Sequence, residues 1–181
     1  KTPIVVNDSR GFYTSRVFAT YVMEGIAMLA EGVHPRSIEV AGVKAGMPMP
    51  PLALQDEVSL SLSLHISAQT RKDLAAEGIA YPAHPGEAVL QEVCGVRGRV
   101  GKKSGQGLYD YQGKDKTLWP GLLEIYPPKA EQPSQHDIID RLMFIQANEA
   151  ARCFEENDDM LLGGKLLVVG GHAEHVFGLV L

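Results

Sequence analysis

Two stretches of the chain combine residue types that can do chemistry. Lys102-Lys103-Ser104-Gly105-Gln106-Gly107 sets two ammonium groups and a hydroxyl beside a Gly-x-Gly turn, a pattern in which lysines and backbone N–H groups can cradle a phosphate. It has neither the Gly-Lys-Ser/Thr ending of a P-loop nor the third glycine of a dinucleotide fingerprint. By itself it reads as a tight turn beside a tyrosine-anchored strand or coil. The second stretch, Asp8 to Glu31, opens with a polar loop and runs into an apolar helix on which only Ser15, Arg16, Glu24 and Glu31 carry a polar or charged group. Each of these needs a partner or a role. Arg16 and Glu24 read as structural, capping the loop or pairing inside a bundle. Asp56 and Glu57, after a proline-rich loop, read as charges at a helix N-terminus.

The remaining candidates point to no metal site. His34, His65, His84 and His136 have no partner at metal-ligand spacing, and His172 and His175, three apart, have no third ligand nearby. Cys94 and Cys153 lie far apart and read as thiols in a reducing compartment. The methionines at 23, 28, 47 and 49 read as core filler.

The composition bounds the function. The chain has 181 residues, 45% apolar and 22% charged, with a formal charge of −5. That describes an ordinary globular protein of one good core or two small ones, with no basic footprint for nucleic acid. No charged, apolar and cleavable leader is recognisable, and the expected compartment is the cytoplasm. The chain starts at Lys1 in a strand-forming TPIVV run with no sheet to join, which reads as a fragment cut from something longer. The apolar tail, Met160 to Leu181, contains histidines and charges that argue against a membrane span; Lys165 to Val169 in it could be a strand.

The elements that must position these residues are mainly helices. Apolar residues at Val17, Tyr21, Met28 and Leu29, widened by Phe18, Val22, Ile26 and Ala27, mark a first helix of about five turns that Gly32 ends. Pro35 fits the first turn of a second, short helix that runs over Ser37 to Ala45. Pro48, Pro50 and Pro51 impose a stiff extended connection. A helix resumes near Leu52 and runs through Ile66, although Ser59 to Leu64 alternates with period two and would pass for a strand on pattern alone; Arg71 to Gly78 continues as helix. Glu87 to Cys94 is a short helix, Gly95 to Tyr111 is basic and glycine-rich, and Thr117 to Pro133, with five prolines or glycines, reads as a linker wrapping the surface. His136 to Glu156 is a second long helix. Shifted by 125 residues it repeats the first: Arg16 falls on Arg141, Glu24 on Glu149, Glu31 on Glu156, Val17 on Leu142, Phe18 on Met143 and Leu29 on Phe154. Shared apolar spacing is common to buried helices; three charged matches at one offset point to duplication.

Three segments, in order, carry a resemblance to 3-hydroxyacyl-CoA dehydrogenases. Gly11-Phe12-Tyr13-Thr14-Ser15-Arg16 is similar to the Gly-Phe-x-x-Asn-Arg entrance to the first helix of their C-terminal domain, with Ser15 for the usual Asn and Thr20 for the usual Pro or Ala. Gly46-Met47-Pro48-Met49-Pro50-Pro51 with Asp56 resembles the family's Gly-x-Pro-x-Gly-Pro segment and following Asp, with Pro50 for a glycine. Lys102 to Tyr111 resembles Lys-Ser/Thr-Gly-x-Gly-Phe-Tyr-x-Tyr, with Leu108 for Phe. The repeated helix beyond resembles in turn the α-subunit of the fatty acid β-oxidation multienzyme complex, whose helical domain is duplicated.

The resemblance implies an all-α fold, a helical bundle of the C-terminal-domain type, with a short strand left from a missing nucleotide-binding domain. Its expected divisions are 1–7, the end of that missing domain; 8–112, the first helical domain; 113–135, a linker; and 136–181, part of a second helical domain. It implies NAD-dependent oxidation of 3-hydroxyacyl-CoA to 3-ketoacyl-CoA. Ser15 would lie beside the substrate and Lys103 would reach the NAD. The family's catalytic His–Glu pair and glycine fingerprint belong to the nucleotide-binding domain, and nothing in this chain matches either, so no catalytic residue and no activity are expected of the chain alone. Implied partners are the acyl-CoA, the nucleotide-binding domain that holds most of the NAD, a homodimer and a thiolase subunit. Neither nucleic acid nor membrane is among them. The alternatives are a non-catalytic helical dimerisation or interaction module, and another two-domain dehydrogenase of the 6-phosphogluconate or hydroxyisobutyrate type, against which the Lys-Ser-Gly-x-Gly-x-Tyr segment argues.

Overall fold

A computed structural model describes residues 11–156; the expected strand at 3–6, the tail from 157 on, and His172 and His175 lie outside the described residues. The fold is all-α with one small hairpin. Helix α1 (Tyr13–Ala30) is followed by α2 (Pro35–Lys44), α3 (Pro51–Val58), α4 (Leu60–Ala76) and α5 (Gly86–Leu90). α5 widens into a π turn over Gln91–Val96, and a 3-10 turn at Lys102–Ser104 leads into the antiparallel strands β1 (Tyr109–Gln112) and β2 (Asp115–Leu118). Helices α6 (Gly121–Ile125) and α7 (Gln135–Glu155) complete the described chain.

The wide apolar stripe of α1 makes it the centre of the bundle. Tyr21, Ile26, Met28 and Leu29 are fully buried, joined by Ile38 from α2, Leu52 from α3, Leu90 from α5, Leu108 and Leu122 beyond, and Ile138 and Leu142 from α7. Each large apolar side chain so buried contributes about 1.5–3 kcal/mol. The charged groups Arg16, Glu24 and Glu31 on α1 are paired by α7, which lies antiparallel to it. Arg16 donates to Glu149 and Glu156, and Arg141 donates to Glu24 and Glu31. α7 starts at a reciprocal capping box between Ser134 and Asp137.

The structure departs from the pattern reading in two places. The helix expected from Leu52 to Ile66 is two helices, broken at Ser59, whose φ of 78° and ψ of 127° leave helical space. The break frees the Leu60 N–H to bond the Val100 carbonyl at 2.9 Å. Beyond it the Ser-Leu alternation is helical in α4, with Leu60 buried and Leu62 exposed, as a 3.6-residue period requires. The expected surface linker is structured in its first half. Residues 109–118 pair as a hairpin closed by Gly113 and Lys114, and α6 buries Leu122. Tertiary pairing overrides the low periodicity there. Only the stretch from Tyr126 to Ser134 runs across the surface, tied by Lys129 N–H to the Gly32 carbonyl at 2.9 Å and by Gln132 to Gly32 and His34.

Candidate functional site

The lysine turn is held from beneath by one carboxylate. Asp56, on α3 and 1% exposed, accepts hydrogen bonds from the N–H groups of Leu108 (2.7 Å) and Tyr109 (2.9 Å) and from the Tyr111 hydroxyl (3.0 Å). Burial raises its pKa, and those donors and nearby Arg99 partly offset the shift. Asp56 is thus the sixth residue of an eight-residue helix, not one of its N-terminal charges, and Glu57 beside it pairs with Lys102 at 2.8 Å. The approach is close enough to require glycine. A β-carbon on Gly101 would stand 2.7 Å from the Asp56 carbonyl oxygen, and one on Gly107 would run into its carboxylate.

Arg99 locks the other side. It is 7% exposed and donates to the Gly107 carbonyl (2.7 Å), the Tyr109 carbonyl (3.2 Å) and Asp110 (2.5 Å), with its guanidinium 4.2 Å from the Trp119 ring centroid. The N–H groups of Ser104, Gly105 and Gly107 bond carbonyls of the same segment, so the segment is a self-satisfied turn and not a cradle of free donors. What it offers outward is Lys103, exposed and with no hydrogen-bond or ion-pair partner among the described residues.

A second buried carboxylate, which the sequence reading did not single out, braces the same region. Glu39 on α2 accepts from the N–H groups of Leu52 (2.8 Å) and Ala53 (3.3 Å) and from the Tyr109 hydroxyl. α3 has no capping side chain of its own because it opens Pro50-Pro51; Glu39 supplies the missing acceptor from another helix. Burial pushes the Glu39 pKa up to about 7, opposed by these hydrogen bonds and by Lys116. The only sequence signal for it was a carboxylate at a position flanked by buried residues of a short helix. Pro50, with φ of −71° and ψ of 157°, fits the extended residue before α3 without distortion.

Ser15 lies in the first turn of α1, after the extended and exposed Phe12. It is exposed, and its hydroxyl has no hydrogen-bond partner among the described residues. Ser15 and Lys103 stand on different elements and no hydrogen bond joins them; any common role is through a ligand. The other candidates are local. His34 and His84 each accept a backbone N–H through Nδ1, and His136 lies 3.1 Å from Asp140. Among the described residues no group of histidines, cysteines and carboxylates has metal-ligand geometry, and no helix is long and apolar enough to cross a membrane.

The span from the α1 entrance to β1, in which α3 clamps the lysine turn, coincides with a known sequence family. The family described as "3-hydroxyacyl-CoA dehydrogenase, C-terminal domain" matches residues 11–111, from Gly11 at that entrance to Tyr111 on Asp56. The chain belongs to the 3-hydroxyacyl-CoA dehydrogenase family, through the C-terminal helical domain of that family.

Proposed function

We propose that residues 8–112 form one wall of an acyl-CoA/NAD cleft and act with a nucleotide-binding domain in the NAD-dependent oxidation of 3-hydroxyacyl-CoA to 3-ketoacyl-CoA, a step of fatty acid β-oxidation. The observation that carries this reading is the family match over residues 11–111, within which the proline-rich segment ending at Asp56 and the segment from Lys102 to Tyr111 are joined through Asp56. Hydride transfer needs a general base for the hydroxyl proton and a seat for the nicotinamide. Both are assigned to the nucleotide-binding domain, so the chain alone is inactive. NAD, when bound, accepts the hydride. Lys103, exposed on the turn with no anionic partner among the described residues, fits an anionic or carbonyl oxygen of that cofactor. The Ser15 hydroxyl, also without a hydrogen-bond partner among the described residues, fits the thioester end of the substrate.

The repeat in α7 supports a finer reading: a parent protein like the α-subunit of the β-oxidation multienzyme complex, with a thiolase subunit as partner. The test is NADH-dependent reduction of acetoacetyl-CoA, followed by loss of NADH absorbance. The chain alone should give no turnover, and the chain joined to a family nucleotide-binding domain should turn over. Activity of the chain alone would place the base within it. An inactive joined protein, shown to be folded, would remove the dehydrogenase role.

A further inference from the structure

A groove of about 380 Å³ runs along α2, lined by His34, Arg36, Ser37, Val40 and Lys44 and bordered by Gln135 from the start of α7. That volume falls in the range of small-molecule sites, about 300–1,000 Å³. Arg36, Val40 and Lys44 are four residues apart and form one row on the helix. The row sets a guanidinium and an ammonium on either side of a half-exposed valine. Neither cationic side chain has an ion-pair or hydrogen-bond partner among the described residues. No acidic residue lines the groove, and the one carboxylate of α2, Glu39, is buried and engaged by Leu52, Ala53 and Tyr109. In a chain of formal charge −5, this is a locally positive recess.

The neutral polar groups on α2 are donors too. His34 Nδ1 accepts the Arg36 N–H at 3.1 Å, which leaves the ring proton on Nε2, and the Ser37 hydroxyl bonds no described residue. Gln135 makes the opposite demand. Its Nε2 donates to the Ser37 carbonyl at 3.1 Å, which fixes the orientation of the amide. Its Oε1 is left as the one buried side-chain polar atom without a hydrogen-bond partner among the described residues. Buried acceptors are nearly always satisfied, so this one calls for a donor from outside the chain. We propose that the groove binds a small phosphate monoester whose organic part carries an N–H or O–H donor. The phosphate oxygens take Arg36, His34 and Ser37, the organic part lies over Val40 with its donor on Gln135 Oε1, and Lys44 adds charge from the far end. No residue of the lysine turn and not Ser15 lines this groove, so the inference stands apart from the proposed dehydrogenase role.

The test is nuclear magnetic resonance titration of the whole chain at low ionic strength, with adenosine 5′-monophosphate, adenosine and inorganic phosphate as probes. The monophosphate should shift the amide signals of residues 34–44 and 135 and saturate with a Kd below about 1 mM. Phosphate should shift residues 34–37 but bind at least about fivefold more weakly, and adenosine should shift neither set at the same concentration. Arg36→Gln with Lys44→Gln should weaken monophosphate binding at least about tenfold. Gln135→Met should weaken the monophosphate about fivefold and leave phosphate unchanged. Lys72→Gln with Lys114→Gln, the same change of charge outside the groove, should leave both unchanged. Circular dichroism checks the fold of each variant, and the map on the unaltered chain needs none of them. Shifts absent from residues 34–44 or confined to 102–111, adenosine matching the monophosphate, or equal losses in the groove and control variants would overturn the proposal.

Discussion

The carboxylate of Asp56 lies where the β-carbon absent from Gly107 would stand. The clamp between α3 and the lysine turn therefore needs a side chain on one partner and none on the other. In Asp56→Asn one oxygen is exchanged for a donor that faces backbone N–H groups, leaving a buried donor unpaired. The variant should lose about 3 kcal/mol of unfolding free energy. Gly107→Ala should lose a comparable amount through overlap with the same carboxylate. Urea unfolding checks both, and a midpoint unchanged in either would show that the clamp contributes nothing.

Glu39 gives the fold a pH dependence with a definite sign. Its pKa is raised from 4.5 to about 7 by burial, so between those values the folded chain keeps a proton that the unfolded chain has lost. Its share of stability is present below pH 4.5 and lost as pH rises toward 7, an effect on the order of 3 kcal/mol. Glu39→Gln should remove that slope. Unfolding free energies of the two proteins should differ by a constant amount at the acid end, set by the hydrogen bonds that the amide loses, and the difference should move in favour of the variant as pH rises toward neutrality. Parallel curves would mean that Glu39 does not titrate in the fold.

Much of this arrangement could be read from residue order, and the unread parts have two causes. The apolar stripe of α1, its stop at Gly32 and the proline entry to α2 follow from local chemistry, and the structure has them there. The shift of 125 residues foretold that Arg16, Glu24 and Glu31 had counterparts; that the two sets bind each other needed the antiparallel packing of α7 on α1. The roles of Asp56 and Glu39 were hidden because key partners of theirs are distant in sequence, whereas the hairpin over 109–118 and the contacts of Arg99 are local but carry no steady hydrophobic period. The Asp56 partners are more than fifty residues away, and Tyr109 is seventy from Glu39. No window of periodicity contains such pairs.

Ser59 is the one described residue other than glycine with positive φ, at 78°. Holding a side chain there costs about 1–3 kcal/mol. Gln55 bonds the Ser59 carbonyl at 3.2 Å and the Ser63 hydroxyl at 2.9 Å, so the break between α3 and α4 is pinned from both sides. Ser59→Gly should relieve the strain and, after the added chain entropy of glycine, raise stability by about 1 kcal/mol. Ser59→Ala keeps the strain and should bring no gain. Thermal unfolding separates the two, and equal melting temperatures would show that the turn is not strained.

The two lysines of the turn differ in what they meet, and that difference tests the proposed cleft. Lys102 is engaged by Glu57, at 2.8 Å from its Oε2, whereas Lys103 faces outward without a partner among the described residues. In the chain joined to a nucleotide-binding domain, Lys103→Ala should raise KM for NAD roughly tenfold, in keeping with about 1.5 kcal/mol for a charge-assisted hydrogen bond. Lys102→Ala should leave KM for NAD unchanged and act on stability alone. Ser15→Ala should lower kcat/KM for the acyl-CoA about tenfold, with KM for NAD untouched, since its hydroxyl is assigned to the substrate. Steady-state kinetics with each substrate varied in turn makes the distinction. If Lys102 and Lys103 prove interchangeable, the turn acts only through its overall charge. If Ser15→Ala is silent, the α1 entrance does not touch the substrate.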